Sequence, residues 1–437
     1  MSRAGSTPDV SQPKAVAPDG TRRTAPARPT SPGRWFVVAG ALALGRVAVA
    51  RSLEGVLGDA QERVGLRPAP AFTTFSSHVS TLVTAPSLTS ASSAALAGTA
   101  PIDSTMAALG PVFLDHAATL GAGVTNTNVV TQRSLAQGSL FGQPFNELGT
   151  FAPVLVKRTP TGNPMAPAAI GLRLRYALDL HLWATAVAVS HGFTDSFDAS
   201  VVVPVVSSGL DCAVRARVVQ ATSPAGGAFH PVRGAPVVGG TISPVHSTGV
   251  GDLVVRVKQR LPMPAPWRAA ATLEAQFPTG DPFELHGTGS YWVTPGIDLS
   301  LPLWGKRAEL DAHAALHMNV NHAAQSQVLY GLSASAVVWP RRLAAIVEFL
   351  GQSQLANGFA PGDTDVLVLT PQGGIAADPL LGVGWTGRLD QFNFSFGLRG
   401  VLRPGLVLFA NGVVPLNRSS GVRPAGVVPT VGLGWSF

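Results

Sequence analysis

The sequence predicts an all-β chain: a transmembrane, antiparallel, up-and-down β-barrel of about 12 strands (10–14), preceded by a mostly irregular amino-terminal segment. Three observations point there. Hydrophobic residues make up 46% of the 437 residues and charged residues only 13%, about half the usual charged share. No stretch supplies the roughly 18 consecutive apolar residues of a spanning helix, and the 48 glycines and 36 prolines argue against long helices. Alternation with a period of two recurs from about residue 117 to the end. A chain short of surface charge and lacking a spanning helix has one economical way to meet lipid, which is a closed sheet.

The amino terminus is read as a targeting segment over residues 1–50. A basic stretch holding Arg22, Arg23, Arg28 and Arg34 precedes the apolar run "WFVVAGALALG", and Ala48–Ala50 offers a small-residue cleavage site. Those fifty residues carry seven Lys or Arg and two Asp or Glu. Removing them leaves 31−7 = 24 basic and 24−2 = 22 acidic groups, so the net charge of +7 falls to +2. The basic balance belongs to the leader, and nucleic acid is not an expected partner. Residues 51–110 are Ala/Ser/Thr-rich with no sheet period. They are read as a low-complexity segment that is either periplasmic or caps the lumen.

The barrel is expected over residues 111–437. In "IGLRLRYALDLHLWATA" the even positions from Ile170 to Leu182 are apolar, against Arg173, Arg175, Asp179 and His181. In "GDLVVRVKQRL", Leu253, Val255, Val257 and Leu261 oppose Arg256, Lys258 and Arg260. In "AELDAHAALHMNVN", Leu310, Leu316 and Met318 oppose Glu309, Asp311, His313 and His317. Phe392, Phe394, Phe396 and Leu398 repeat the design. Segments of roughly 9 to 15 residues suit a tilted crossing of the hydrocarbon better than ordinary soluble strands of about 5 or 6. The apolar faces are therefore expected to meet lipid. The lumen is expected to be lined by Arg173, Arg175, Asp179, His181, Arg256, Lys258, Arg260, Glu274, Glu309, Asp311, His313 and His317. Turns at 192–198, 262–267 and 339–343, with longer Gly/Pro-rich stretches elsewhere, suggest short connections on one side and long loops on the other.

Chemistry of other kinds finds little support. His313 and His317, four apart on one strand, stand about 13 Å from each other, too far to share a metal, and no cofactor is expected. Ser190–His191 and His246–Ser247 are adjacent pairs, which in a strand point to opposite faces. "PTGD" lacks the Lys-Ser/Thr of a phosphate loop, and "GAGVTN" lacks the third glycine of a dinucleotide fingerprint. Cys212 is the single cysteine, so no intramolecular disulfide forms.

Four stretches carry a resemblance. "LGPVFLDHAATLGAGVTNTNVV" (109–130), "SHGFTDSFDASVVVPVV" (190–206), "STGVGDLVVRVKQRL" (247–261) and "EAQFPTGD" (274–281) resemble the outer-membrane transporter-like family associated with the meta pathway of phenol degradation. The resemblance implies a porin-like barrel in the outer membrane of a diderm bacterium, passing small molecules, hydrophobic or aromatic ones among them, with outer-membrane lipid and the barrel-assembly machinery as partners. It brings no catalytic residues. A plugged structural or surface-interaction barrel is the alternative, and a barrel hydrolase a third.

The sequence closes on "PTVGLGWSF", where Val431, Leu433, Trp435 and Phe437 share one parity. A terminal aromatic in such barrels is similar to the signal read by the insertion machinery, which assigns Trp435 and Phe437 that role. Deleting Phe437 is expected to lower the amount assembled far more than deleting Met1–Thr7. The measurement is the gel band of the mature protein whose mobility shifts on heating. Lost burial of about 1.5–3 kcal/mol would leave an intact barrel standing, so a near-complete defect marks recognition and normal assembly marks ordinary strand packing.

Overall fold

The computed structural model describes residues 111–140, 143–144, 148–156, 168–222, 229–231, 237–282, 284–304, 307–321, 323–340, 342–355, 366–369, 375–378, 390–417, 421–424 and 426–437. The expected targeting segment (1–50) and low-complexity segment (51–110) lie outside the described residues. The strands are β1 (Thr125–Leu140), β2 (Gln143–Pro144), β3 (Leu148–Val156), β4 (Ala168–Gly192), β5 (Phe197–Thr222), β6 (Phe229–Pro231), β7 (Val237–Val250), β8 (Leu253–Leu261), β9 (Arg268–Phe277) and β10 (Trp292–Leu303). They continue with β11 (Ala308–Asn319), β12 (Gln327–Trp339), β13 (Leu343–Gln354), β14 (Val366–Leu369), β15 (Ile375–Asp378), β16 (Asp390–Arg403), β17 (Leu406–Pro415), β18 (Gly421–Pro424) and β19 (Val428–Ser436). Among the described residues the helical content is one 3₁₀ turn, Ala323–Gln325.

These strands form a closed antiparallel barrel with twelve wall positions and one extra strand. The wall runs β1, β4, β5, β7 with β8, β9, β10, β11, β12, β13, β16, β17 and β19, and returns to β1. β7 and β8 share one position, since both pair with β5 on either side of Gly251–Asp252. β3, the extra strand, takes over from β1 as the neighbour of β4 beyond Leu180. Closure is made by β19 on β1, from Asn126↔Ser436 to Gln132↔Thr430. Past the last strand residue, Thr125 and Phe437 exchange both backbone hydrogen bonds, at 3.0 and 2.9 Å. Phe437 is thus a member of the ladder.

The connections are asymmetric. At the end of the barrel where Thr125 and Phe437 lie, they are short: 193–196, 262–267, 304–307, 340–342 and 404–405. At the far end they include 223–236, 278–291, 355–389 and 416–427. Trp267, Trp304, Trp339, Trp435, Phe437 and Phe193 stand exposed around the near end, which is the girdle expected where a barrel meets a membrane interface.

Burial is inverted relative to a soluble protein. On the outer surface Leu332 is 61% exposed and Phe396 47%, with Leu310, Leu316, Leu398, Leu408, Val431 and Leu433 beside them. Inward, Asp298, Ser300 and Ser395 are fully buried, with Glu309, Asp311, Glu348 and Arg399 close to it. In water such an arrangement would leave large apolar groups uncompensated; against hydrocarbon it is the stable one.

One wall departs from the sequence expectation. In β4 the even residues Leu180, Leu182, Ala184, Ala186 and Ala188 are buried inside, while Trp183 is exposed on the outer face. The expected lipid-facing parity of Leu180 and Leu182 is therefore reversed. Period-two alternation gives which residues share a face, and the polar residues normally say which face is inner. Here both faces are apolar, because this part of the lumen packs against an apolar stretch of the chain's own amino-terminal segment.

Replacing Phe396 by Arg near the midplane is expected to cost about 2–4 kcal/mol of barrel stability. Replacing the inward Ser395 by Ala should cost about 0.5–1.5 kcal/mol through its hydrogen bond to Glu348. Denaturant titration of the heat-shifted band compares the two, and equal costs would overturn the facing.

Candidate functional site

Residues 111–120 lie in the interior and run inside the wall before the chain emerges at Gly121–Ala122 and enters β1. The start of the first strand is thus at Thr125, later than residue 111, and the segment "PVFLDHAATL" lies inside the barrel. Gly121 and Gly123 adopt positive φ of 88° and 76°, letting the segment turn sharply into β1.

Three contacts hold this plug. The first is a carboxylate in a nest of backbone donors: Val112, Phe113 and Leu114 N–H all donate to Glu348 Oε1, at 2.9, 2.9 and 3.3 Å. Successive N–H groups converging in this way form an anion site. Ser395 Oγ donates to the other oxygen at 3.0 Å, so Glu348 is tied to the wall as well as to the plug. Arg399 donates to the Pro111 carbonyl at 2.7 Å.

The second contact is ionic. Asp115 lies 2.5 Å from Arg256 Nη1 and 2.6 Å from Lys258 Nζ, all three buried. Lys258 also donates to the His116 carbonyl at 2.8 Å. Burial disfavours the Asp115 carboxylate, but Arg256 and Lys258 outweigh that cost and hold its pKa below the ordinary carboxylate range.

The third contact is His116, whose Nε2 lies 3.1 Å from Glu309 Oε1 and 3.9 Å from Asp311 Oδ1. These three groups are close enough to hold a cation, with donor atoms within 4.8 Å of one another. The imidazole argues otherwise, because its Nδ1 accepts the Ala118 N–H at 2.9 Å. Nε2 then carries the ring proton and donates it to Glu309, leaving no lone pair for a metal. Ser300 Oγ completes the lock, donating to Asp311 at 2.6 Å and accepting the Ala117 N–H at 3.1 Å.

A second element enters from the far end. Residues 285–288, between β9 and β10, fold inward and are buried. Asp252 holds them: its Oδ2 accepts from Thr288 N–H and Oγ1, each at 2.7 Å, and from Gln276 at 2.9 Å, while Oδ1 accepts the Gly280 N–H at 3.0 Å. Ser247 Oγ donates to Glu284 Oε2 at 3.0 Å and lies 3.0 Å from His286 Nε2. His286 Nδ1 in turn stands 3.5 Å from the same Glu284 oxygen, so serine, imidazole and carboxylate form one cluster. Burial pushes the His286 pKa down, keeping the ring neutral.

The structure places the sequence-predicted lumen residues unevenly. Arg256, Lys258, Glu309, Asp311 and His317 are buried inside the barrel, and Glu274 and His313 are half-buried there. His313 bonds Asp298 at 2.6 Å, whereas His317 stacks on Trp292, so the two histidines have separate partners. Arg260 is exposed at the near end, and His181 lies on the outer face between the inward Leu180 and Leu182. The side chains of Arg173, Arg175, Asp179 and Cys212 lie outside the described residues. Sequence reasoning missed Asp115, His116, Glu348, Arg399 and Asp252. "LDHA" carried a signal, two ionisable residues in an otherwise apolar stretch, but their partners lie more than 130 positions away.

Fold and site together define an all-β barrel of membrane type whose lumen is filled by its own chain. No family model and no curated protein matches. Among solved structures, an outer membrane channel from Pseudomonas putida F1 aligns over 73% of this chain and 97% of its own, at 13% identity and TM-score 0.39. The CymD monoaromatic hydrocarbon channel aligns over 78% and 98%, at 8% identity and TM-score 0.34. A FadL homologue of Pseudomonas aeruginosa aligns over 80% and 96%, at 10% identity and TM-score 0.31.

Asp115→Asn is expected to remove the carboxylate that buried Arg256 and Lys258 both contact, leaving them only more distant acids such as Asp198, a change of up to about 3–5 kcal/mol for a buried pair. Protease cleavage within 111–122 should rise sharply while the heat-shifted band persists. The depressed pKa also sets a pH sign: Asp115 supports docking above the ordinary Asp value, and that support is lost only as pH falls through the lower docked value. The difference in protection between wild type and D115N should therefore be unchanged between about pH 7 and pH 5.

Proposed function

We propose that the chain is an outer-membrane porin-like transporter, passing small molecules through a barrel that its own amino-terminal segment closes. The observation that carries this reading is the way the lumen is filled. The plug is a single non-strand segment, entering from one end and held by a carboxylate nest, one ion cluster and one histidine contact. The short-turn asymmetry and the outer apolar face with its aromatic girdle support the compartment.

The solute class follows from what the plug covers. Val130, Ala184, Ala186, Ala188, Val202 and Val254 form an apolar strip along one inner wall. Arg256, Lys258, Glu309 and Asp311 lie on neighbouring inner positions. A passage of this kind suits small compounds with an apolar body and one polar or ionisable group, such as phenols or aromatic acids. The resemblance of residues 109–130, 190–206, 247–261 and 274–281 to the meta-pathway family favours the same class. A plugged structural barrel is the second reading, favoured by the number of bonds on the plug.

Planar-bilayer conductance separates them. The mature chain is expected to conduct weakly, and D115N combined with E348A is expected to raise conductance severalfold and to speed phenol flux into vesicles. A variant that keeps its heat shift, loses protease protection of the plug and still does not conduct would leave the structural reading standing.

A further inference from the structure

The near-end turns repeat one pairing. Trp267 is followed directly by Arg268, with Arg260 at the other end of the same β8–β9 connection. In the β10–β11 turn the Arg307 N–H donates to the Trp304 carbonyl at 3.4 Å. In the β12–β13 turn the Arg342 N–H donates to the Trp339 carbonyl at 3.0 Å. At the β16–β17 turn Trp435 stands directly opposite Leu406, three residues past Arg403. Closing each hairpin thus sets a tryptophan and an arginine at the same level of the barrel.

All four indoles are exposed, and so are Arg260, Arg307, Arg342 and Arg403. Among the described residues, Arg268 is the one of the five arginines that reaches a carboxylate, Glu309 at 3.5 Å. The four turns are consecutive around the wall from β8 to β17. The remaining near-end turn, 193–196, carries Asp195 and no cation. The charge is therefore an arc along one side of the rim, without acids of its own to offset it. Like charges gathered in this way repel one another unless an outside anion compensates them.

We propose that this tryptophan–arginine arc binds anionic phospholipid headgroups of the periplasmic leaflet, of the phosphatidylglycerol class. It rests on the barrel lying in an outer membrane and not on what passes through the lumen. Depth selects the occupant. Indole rings settle where hydrocarbon gives way to headgroups, and the connections 262–267, 304–307, 340–342 and 404–405 are too short to lift a charge far beyond that level. Short turns face the periplasm in barrels of this type, so the phosphates at that depth belong to phospholipids. Arginine pairs with phosphate through parallel hydrogen bonds in a fixed geometry. A phosphatidylglycerol phosphate carries its charge uncompensated, whereas the ammonium of a zwitterionic headgroup competes with the guanidinium for it. A soluble acidic protein would have to enter the headgroup layer to reach the same groups.

The test places the full chain in phosphatidylcholine bilayers and exchanges in brominated phosphatidylglycerol or brominated phosphatidylcholine. Bromine on the acyl chain quenches tryptophans that touch lipid, so the four rim indoles report how strongly each lipid is held. Wild type is expected to prefer phosphatidylglycerol about fivefold, with the preference falling as salt rises. R260Q/R307Q/R342Q/R403Q should bring the ratio close to one while keeping the heat shift. If that variant loses the heat shift, R307Q/R342Q is read in its place and should lower the ratio. R133Q removes the arginine 5.6 Å over Trp183, away from the near-end turns, and should leave the preference intact. A wild-type ratio near one, an undiminished rim variant, or loss of the preference in R133Q would each overturn the proposal. No preference among lipids together with binding of a polyglutamate peptide would give the arc to an acidic protein instead. None of these readouts depends on conductance, so failure of the transporter reading would be seen separately.

Discussion

A chain that crosses hydrocarbon as strands must give every backbone N–H and C=O a partner inside the ladder, because lipid offers none. That constraint is met only when the sheet closes. In this protein the closure is the pairing of β19 with β1, completed by the reciprocal bonds of Thr125 and Phe437. The alternation of faces, the short near-end turns and the inverted burial all presuppose that seam. An open edge between β1 and β19 would leave a row of unpaired donors facing lipid, each costing several kcal/mol. Strand character therefore has to run through Phe437, which serves both as ladder partner and as interfacial ring, 5.7 Å from Trp435.

Closure creates a second problem, which is an interior that side chains alone must fill or leave wet. Twelve positions enclose more space than the mostly small inward residues of β1 and β4, among them Asn126, Asn128, Ser134, Ala184 and Ala188, can occupy. The plug fills the remainder, and its chemistry follows the wall it meets. Val112 and Phe113 pack with the apolar wall residues, while Asp115 and His116 meet the charged strands β8 and β11. Removing Asp115 alone would expose the desolvation of two cations, and removing Glu348 alone would orphan three adjacent donors. The plug and the lumen charges are thus mutually dependent: many wall groups inherited from the barrel's polar interior are compensated only when the segment is docked.

How much of this was legible depends on what alternation encodes. In β8, β11, β16 and β19 one face is charged or polar and the other apolar, so Arg256, Glu309, Ser395 and Phe437 could be assigned a side from sequence. In β4 the inner face near the plug is Leu and Ala, and polarity no longer tells inside from outside. His181 was accordingly read as lumenal, whereas it lies on the outer face. Strand count and turn asymmetry were legible because glycine, proline and run length punctuate the chain locally. The plug was not, since Val112 to Ala117 follow no period and their partners are brought near by topology alone.

The nature of the plug's bonds bears on whether the barrel is a wall or a passage. A permanent filling would gain most from apolar burial, which needs no orientation and is hard to reverse in steps. Here the contacts that fix position are directional: one carboxylate accepting three N–H groups, one aspartate between two cations, one imidazole donating to a glutamate. Each wall group so used is charged or strongly polar, and each can be rehydrated when the segment withdraws and water enters the lumen. Undocking thus exchanges protein–protein polar contacts for hydrated ones, and the net loss is much smaller than the gross strength of the bonds. An apolar plug of equal size would have no such exchange available. The charges that make the docked lumen tight would also make an open, water-filled lumen tolerable, with the same wall serving both.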